Sequence, residues 1–340
     1  MKKALITGIT GQDASFLAEL LLKKGYQVFG LTRKENWYRP NNSTHLVDKI
    51  EVMFGDISEG VDIASALQKA CPDEIYNLAS QSRPGESWNR AAETLLVNGL
   101  AAQHLFESVR KICPTSRVYQ ASSSEMFGRV TETPQNELTP FNPLNPYAAS
   151  KVYAHHMARI YRESYGIYIA TGILFNHESE RRPLHFVTQK IAYGAACGAL
   201  GIEDSPDLNE MGRPIVKDGK LALGNLEVAR DWGYAGDFVR SMWLILQQEK
   251  PDDFVIGTGQ LHSVRDLCET AYRCVGMDWQ KAIVVDPALM RPLESGVTLA
   301  NPSKAHKQLD WKPTIEFNQM VKKMVEAQVA RLKHMMRGTN

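Results

Sequence analysis

The chain of 340 residues has no apolar run long enough to cross a bilayer and no basic leader followed by a short apolar stretch. Neither a membrane span nor a secretory signal is expected, and the reading is cytoplasmic. Cysteine is scarce: Cys71, Cys113, Cys197, Cys268 and Cys274 are odd in number and form no Cys-x-x-Cys pair. That pattern excludes a disulfide framework and a thiolate zinc site, and fits reduced thiols. The histidines lack ligand spacing. His155 and His156 are adjacent and point to different helix faces, while His177, His185 and His262 have no cysteine or acid at metal spacing. No metal is expected. Charge of one sign is also missing, since the net charge is +1. Neither nucleic acid nor a membrane surface is an expected partner. Trp37, Trp88, Trp232 and Trp279 have no basic face beside them and read as packing residues. There is no internal repeat and no low-complexity segment.

What is present is a 44% hydrophobic chain, ample for one large domain or two unequal ones. Short apolar strands read at Lys3–Thr7, Tyr26–Leu31, Ile50–Phe54, Glu74–Leu78, Arg117–Gln120 and Ile167–Leu174. Helical spacing reads at Ser15–Lys24, Val61–Ala70, Ala92–Lys111 and Tyr147–Ser164. The alternation predicts an α/β fold, a Rossmann-type doubly wound parallel sheet. After Phe175 the pattern loosens, and 201–219 reads as a long loop or insertion. Asp237–Gln248 and Asp253–Ile256 could return to the sheet, and Phe317–Met335 reads as an amphipathic helix with a basic last turn. The expected division is 1–175 plus 225–258 for a dinucleotide-binding domain. A smaller C-terminal substrate domain takes 176–224 plus 259–340.

Between the first strand and the first helix stands Gly8-Ile9-Thr10-Gly11-Gln12-Asp13-Ala14. Glycines are needed where backbone must approach a pyrophosphate, and the helix start aims amides and dipole at the anion. The residues Gly8, Thr10, Gly11, Gln12 and Asp13 are therefore candidates for holding a dinucleotide. The second strand ends Leu31-Thr32-Arg33-Lys34, with no acid until Glu35. An acid there would hold the ribose 2′-hydroxyl of NAD, whereas Arg33 suits the 2′-phosphate of NADP. Asp56 and Ile57 after the third strand are placed beside the adenine. Asn77, Leu78 and Ala79 after the fourth line the cofactor.

Tyr147 and Lys151 are four apart on an expected helix, so they share a face. A phenol ionises near 10, too high for a base at neutral pH, and an adjacent ammonium favours its phenolate. Tyr147 can then take the proton of a sugar hydroxyl, with Ser123 holding the same hydroxyl. Glu125 follows Ser123 by two. A ketone formed at C4 of a hexose acidifies the C5 proton. A carboxylate there can remove it while the C6 hydroxyl leaves as water.

These residues and their neighbours resemble the extended short-chain dehydrogenase/reductase superfamily, and more closely the GDP-mannose 4,6-dehydratase family. The likeness covers nearly the whole chain. It rests on Ile6–Asp13, on Tyr119–Gly128 and on Gly172–Ser179, then on Phe186–Lys190, Leu223–Leu226 and Arg230–Gly233. It implies tightly bound NADP and a homodimer or homotetramer. Catalysis is then carried by Ser123, Glu125, Tyr147 and Lys151, acting on a GDP-sugar. By the same likeness Asn176 and Glu178 meet the sugar or its phosphates, with Ser82 by the sugar pocket. Val187, Lys190, Leu223, Gly224 and Asn225 line the guanosine side, Arg230 and Arg291 clamp the diphosphate, and Glu294 reaches the ribose.

The chain departs from the family pattern at several points. Ser123 stands where the family usually has Thr, and Ala14 replaces the third glycine. The loop Glu35–Pro40 is not the usual basic, serine-rich one, which in the family reaches a neighbouring subunit's cofactor site. Arg83, Glu86 and His185 are unusual near the substrate. The expected reaction is C4 oxidation, C5 deprotonation with loss of water from C6, and hydride return to C6. The same chemistry on a GDP-heptose or another nucleotide hexose is an alternative. So are a 4-epimerase or 4-reductase, which need no carboxylate at 125, and a decarboxylase of a sugar uronate. A non-catalytic NADP sensor would have no need of Ser123, Tyr147 and Lys151.

Overall fold

The computed structural model describes residues 1–209, 211–290 and 296–338. The chain forms two compact units. The first holds Met1–Phe175, Ala235–Gly259 and Ser295–Lys312; the second holds Asn176–Tyr234, Gln260–Glu294 and Pro313–Asn340. The division differs from the expected one in two places. Residues 225–234 fall in the second unit because Ala229–Arg230 and Trp232–Tyr234 pair with strands there. The segment leading to Trp311 falls in the first, where the indole is wholly buried and donates Nε1–H to the Asp237 carbonyl at 2.8 Å.

The first unit is built on β1 (Lys3–Thr7), α1 (Gln12–Lys23), β2 (Gln27–Thr32) and α2 (Lys34–Tyr38). There follow β3 (Glu51–Phe54), α3 (Gly60–Ala70), β4 (Glu74–Asn77), α4 (Ala91–Leu95) and α5 (Ala101–Ile112). β5 (Arg117–Ser123), α6 (Pro146–Tyr165) and β6 (Ile169–Leu174) complete the run. The sheet order is β3-β2-β1-β4-β5-β6, with the strand Asp253–Ile256 beyond β6, and every pairing is parallel. The order reverses between β1 and β4, the switch point where doubly wound sheets take ligands. Both faces are covered, as parallel sheets require. Successive residues of each strand therefore enter different cores. Ile6, Tyr119 and Ala170 pack with Phe238 and Trp311, whereas Leu5, Val118 and Ile169 pack with Phe106 and Leu67.

The stretch expected as one helix, Ala92–Lys111, is α4 and α5 joined through a π-helical turn at Leu96–Leu100. β5 runs three residues further than expected and carries Ser122 and Ser123. α6 has a legible start and stop. Asn145 caps it through Ala148 N–H at 2.8 Å, Pro146 opens it, and Gly166 ends it in the left-handed region.

In the second unit, Asn176–Glu178 pairs parallel with Trp232–Tyr234. Val216–Lys217, Lys220–Leu223 and Ile283–Val285 form a small sheet. The helices Val187–Ala199, Val264–Arg273 and Phe317–Gly338 enclose Tyr193, Trp232, Tyr272 and Met320. The first two lie where the sequence pattern loosens. Val264–Arg273 is set by a capping box of Ser263 and Asp266. Of the expected loop 201–219, residues 201–209 and 211–215 are turns and bends with an antiparallel bridge between Leu208 and Pro214, and the strand Val216–Lys217 interrupts it.

A half-buried polar clamp fixes α6 on β6 and the strand beyond it. Arg162 grips the Asp253 carboxylate with two bonds of 3.0 Å, and Thr171 Oγ1 donates to the same group at 2.9 Å. His155 Nδ1 lies 3.0 Å from Ser122 Oγ. Burial pushes the His155 imidazole down to about 4, against the pull of Asp253. The unfolded imidazole takes a proton near 6.5, so between about 6.5 and 4 the unfolded chain binds more protons. Stability must then fall as pH drops through that window, by about 3 kcal/mol for this group. Urea titrations at pH 7 and pH 4.5 should show a smaller loss in His155→Gln than in the parent. An equal loss would mean that His155 is not held neutral by the fold.

Candidate active site

The cradle is set by backbone geometry. Gly8 has φ of +69°. A Cβ placed on it would lie 2.8 Å from the Ala79 Cα. Only glycine tolerates both. The Gly11 N–H returns to the Gly8 carbonyl at 2.9 Å, and α1 begins at the next residue. Gln12 Nε2 donates to Asp13 Oδ1 at 3.0 Å. Thr10 and Asp13 are half-buried and Gly11 is exposed. Ser43 Oγ donates to the Ile9 carbonyl at 2.5 Å, so the loop after α2 is tied to its own chain's cradle.

A chain of side-chain bonds crosses the carboxyl ends of three strands. Thr7 Oγ1 donates to Asn77 Oδ1 at 2.8 Å and accepts the Leu78 and Ala79 amides at 3.1 Å. Asn77 Nδ2 donates to Gln120 Oε1 at 2.7 Å, and Gln120 Nε2 to the Ala121 carbonyl at 3.1 Å. Lys151 Nζ donates to that same carbonyl at 3.1 Å. Lys151 is buried, and desolvation pulls its ammonium down to about 8 while Asp13 pulls it up. Its nitrogen lies 5.8 Å from the Tyr147 ring centre. Tyr147 is buried one turn earlier on α6.

Ser123 closes β5. Its Oγ accepts the Glu125 amide at 3.2 Å, and its own proton has no acceptor among the described residues. Glu125 sits in the 3₁₀ turn Ser124–Phe127, just past the strand. Its Oε2 accepts Asn145 Nδ2 at 3.1 Å. Ser123, Glu125, Tyr147 and Lys151 are thus gathered by the end of β5 and the first turns of α6. Ser82 is exposed in the loop after β4. That loop is hooked to α6 by Asn98, which accepts Ser80 Oγ at 2.9 Å and Gln81 N–H at 2.8 Å. Asn98 Nδ2 in turn lies 3.2 Å from Ser150 Oγ. The π turn that carries Asn98 is a feature frequent at functional sites.

Arg33 caps the end of β2, half-exposed, with Glu35 at 3.4 Å and Asp56 at 4.0 Å. Asp56 also holds the Ser58 amide and hydroxyl, at 2.9 and 2.8 Å. Ile57 packs on the core beneath.

In the second unit, Asn176 pairs with Trp232 in the parallel strand pair. Glu178 is buried and already engaged: Arg182 Nε lies at 3.0 Å and Thr188 Oγ1 donates at 2.7 Å. Val187 and Lys190 open the helix Val187–Ala199. Leu223 ends a strand, with Gly224 next and an Asx turn at Asn225, whose Oδ1 accepts Glu227 N–H at 2.9 Å. Arg230 is buried, and its Nη1 donates to the Ala229 carbonyl at 2.8 Å. Arg291 and Glu294 lie outside the described residues.

Sequence reasoning missed Asn98, Gln120 and Asn145. Only the last carried a signal, an Asn-Pro helix start directly before Tyr147.

A parallel doubly wound sheet, a glycine cradle after its first strand, and Ser, Tyr and Lys at β5 and α6 define a short-chain dehydrogenase/reductase type of enzyme. The chain belongs to the GDP-mannose 4,6-dehydratase family: the model of the family described as GDP-mannose 4,6 dehydratase matches residues 5–324. It is 42% identical to GDP-mannose 4,6 dehydratase 1 of Arabidopsis thaliana over 337 residues, 96% of this chain and 89% of that protein. With GDP-mannose 4,6-dehydratase of Vibrio cholerae serotype O1 it shares 40% over 360 residues, 95% of this chain and 92% of the other. The fold matches the crystal structure of a dTDP-glucose 4,6-dehydratase of Bacillus anthracis in complex with NAD. The TM-score is 0.82 at 19% identity, covering 98% of both chains.

Gly8→Ala forces a methyl onto Ala79 in a left-handed backbone. Denaturant unfolding should show a loss of about 1–3 kcal/mol. Parental stability would mean that the cradle is looser than its geometry implies.

Proposed function

We propose that the protein converts GDP-mannose to GDP-4-keto-6-deoxymannose. The observation that carries this is Glu125 placed two residues after Ser123 and beside the helix of Tyr147 and Lys151, in a chain of this family. The cradle suits a dinucleotide: Gly8 turns in the left-handed region hard against the Ala79 backbone, and α1 opens directly behind. Gly8, Thr10, Gly11, Gln12 and Asp13 would hold the pyrophosphate, Asp56 and Ile57 the adenine end, and Leu78 and Ala79 the inner wall. Arg33, with no acid at the end of β2, favours NADP over NAD. A nicotinamide bound there supplies a reversible acceptor for the C4 hydride, given back at C6.

The chain's own residues move the protons. Tyr147 takes the C4 hydroxyl proton, favoured as phenolate by the Lys151 ammonium. Ser123, with its hydroxyl proton to spare, orients that oxygen. Glu125 then takes the C5 proton and passes a proton to the C6 hydroxyl, which departs as water, and C5 regains a solvent-derived proton as the hydride returns to C6. Atoms balance as one nucleotide sugar to one keto-deoxy sugar plus water, with no net use of cofactor.

In the second unit, Asn176, Val187, Lys190, Leu223, Gly224, Asn225 and Arg230 are assigned to the GDP-sugar, as are Ser82 of the first unit and Arg291 and Glu294. Glu178 is assigned a supporting role, because Arg182 and Thr188 occupy its carboxylate. A homo-oligomer and a cytoplasmic setting are part of the same reading, drawn from the family.

The test is mass spectrometry of GDP-mannose incubated with the protein and a trace of NADP or NAD in turn. A product lighter by one water, formed faster with NADP, is expected. An unchanged sugar would overturn the substrate, and faster turnover with NAD would overturn the cofactor. Glu125→Gln should slow water loss by about 10²–10⁴ while still oxidising C4. Normal elimination by that variant would remove Glu125 as the base.

A further inference from the structure

We infer that Asn145 is a positioning residue that holds Glu125 for proton removal at C5, an assignment that rests on the function proposed above. Asn145 uses both ends of its amide. Oδ1 accepts Ala148 N–H at 2.8 Å and so caps α6. Nδ2 donates to Glu125 Oε2 at 3.1 Å. The same side chain thus fixes the start of the helix that carries Tyr147 and Lys151 and one oxygen of the carboxylate. The other oxygen, Oε1, has no partner among the described residues and is left to act.

The backbone around this contact is built to maintain it. The loop between the Glu125 turn and α6 is closed at its neck, where Asn142 N–H donates to the Met126 carbonyl at 3.0 Å and Arg129 N–H to the Asn142 carbonyl at 3.0 Å. Gly128 sits in that neck with φ of +53°, and a Cβ there would fall 1.9 Å from the Asn142 oxygen. Only a residue without a side chain lets the two strands of the neck approach so closely. Further out, the loop is anchored by Gln135, which is wholly buried and exchanges backbone bonds with Leu299 and Asn301 at 2.8 and 2.7 Å. A carboxylate in a short 3₁₀ turn has many rotamers. One amide donor from a rigid helix start selects among them and leaves the free oxygen in a fixed direction.

Capping and donation can be separated by substitution. Aspartate and serine are both good helix caps, so each preserves the bond to Ala148. Neither keeps the amide donor, and aspartate adds a second carboxylate beside Glu125, so that a proton is shared between them. The experiment is stopped-flow absorbance of reduced cofactor, with product formation, for the parent, Asn145→Asp and Asn145→Ser supplied with GDP-mannose and NADP.

The expected result is water loss slowed on the order of tenfold or more in Asn145→Asp, and less in Asn145→Ser. Reduced cofactor should build up in both, because C4 oxidation is spared. Melting temperatures and the KM for GDP-mannose should stay near those of the parent. Parental turnover with no build-up in Asn145→Asp would overturn the assignment. A uniform loss of oxidation and elimination together would also overturn it, since that is the signature of a merely structural cap. An inert parent would overturn the function on which the assignment rests, and the assignment with it.

Discussion

The site depends on the carboxyl ends of β1, β4 and β5 being held level. Backbone pairing alone sets their register but leaves Asn77 and Gln120 as buried amides, each expensive unless bonded. The bonds from Thr7 to Asn77, to Gln120 and to the Ala121 carbonyl satisfy them in sequence. Breaking one member would strand the next, so the row behaves as a unit. Its last acceptor is the carbonyl that also receives Lys151. The cradle after β1 and the groups proposed to move protons after β5 are therefore referenced to one another through side chains.

Burial of Lys151 is the cost of this arrangement. Desolvation brings its ammonium down to about 8, which leaves about nine in ten charged at pH 7. Asp13 opposes that fall, which gives the acid in the cradle an electrostatic role besides its place beside Gln12. In the proposed reaction the charge is wanted where it stands, because a phenol needs a nearby cation to act as a base at neutral pH. Towards the far end of α6, the half-buried pair of Arg162 and Asp253 ties the helix to the strand Asp253–Ile256. Tyr147, Lys151 and His155 lie at four-residue steps, so a single helix rotation sets all three.

Much of this was legible in the sequence. Strand–helix alternation gave the parallel sheet, because strands buried on both faces must be short and apolar. The cradle and the Tyr-x-x-x-Lys pair were legible because their chemistry constrains spacing along one local segment. The polar row was not, since Thr7, Asn77 and Gln120 are distant in sequence and each looks like an ordinary strand-end polar residue. The helix read as Ala92–Lys111 concealed a π turn, whose signal is the wide hydrogen bond and not composition. The family likeness assigns Glu178 to the sugar or its phosphates, and only the folded chain shows Arg182 and Thr188 on its carboxylate. The boundary near 225–234 is not legible in the sequence, because short strands with long-range partners carry little pattern of their own.

The central claim is that one site removes a hydride from C4, loses water across C5 and C6, and restores the hydride at C6. The most direct measurement is the fate of deuterium in GDP-mannose labelled at C4, read by proton NMR of the product. The account predicts that the label appears at C6 of the same sugar, with a solvent-derived proton at C5. Label lost to solvent, retained at C4 or left on the cofactor would contradict it.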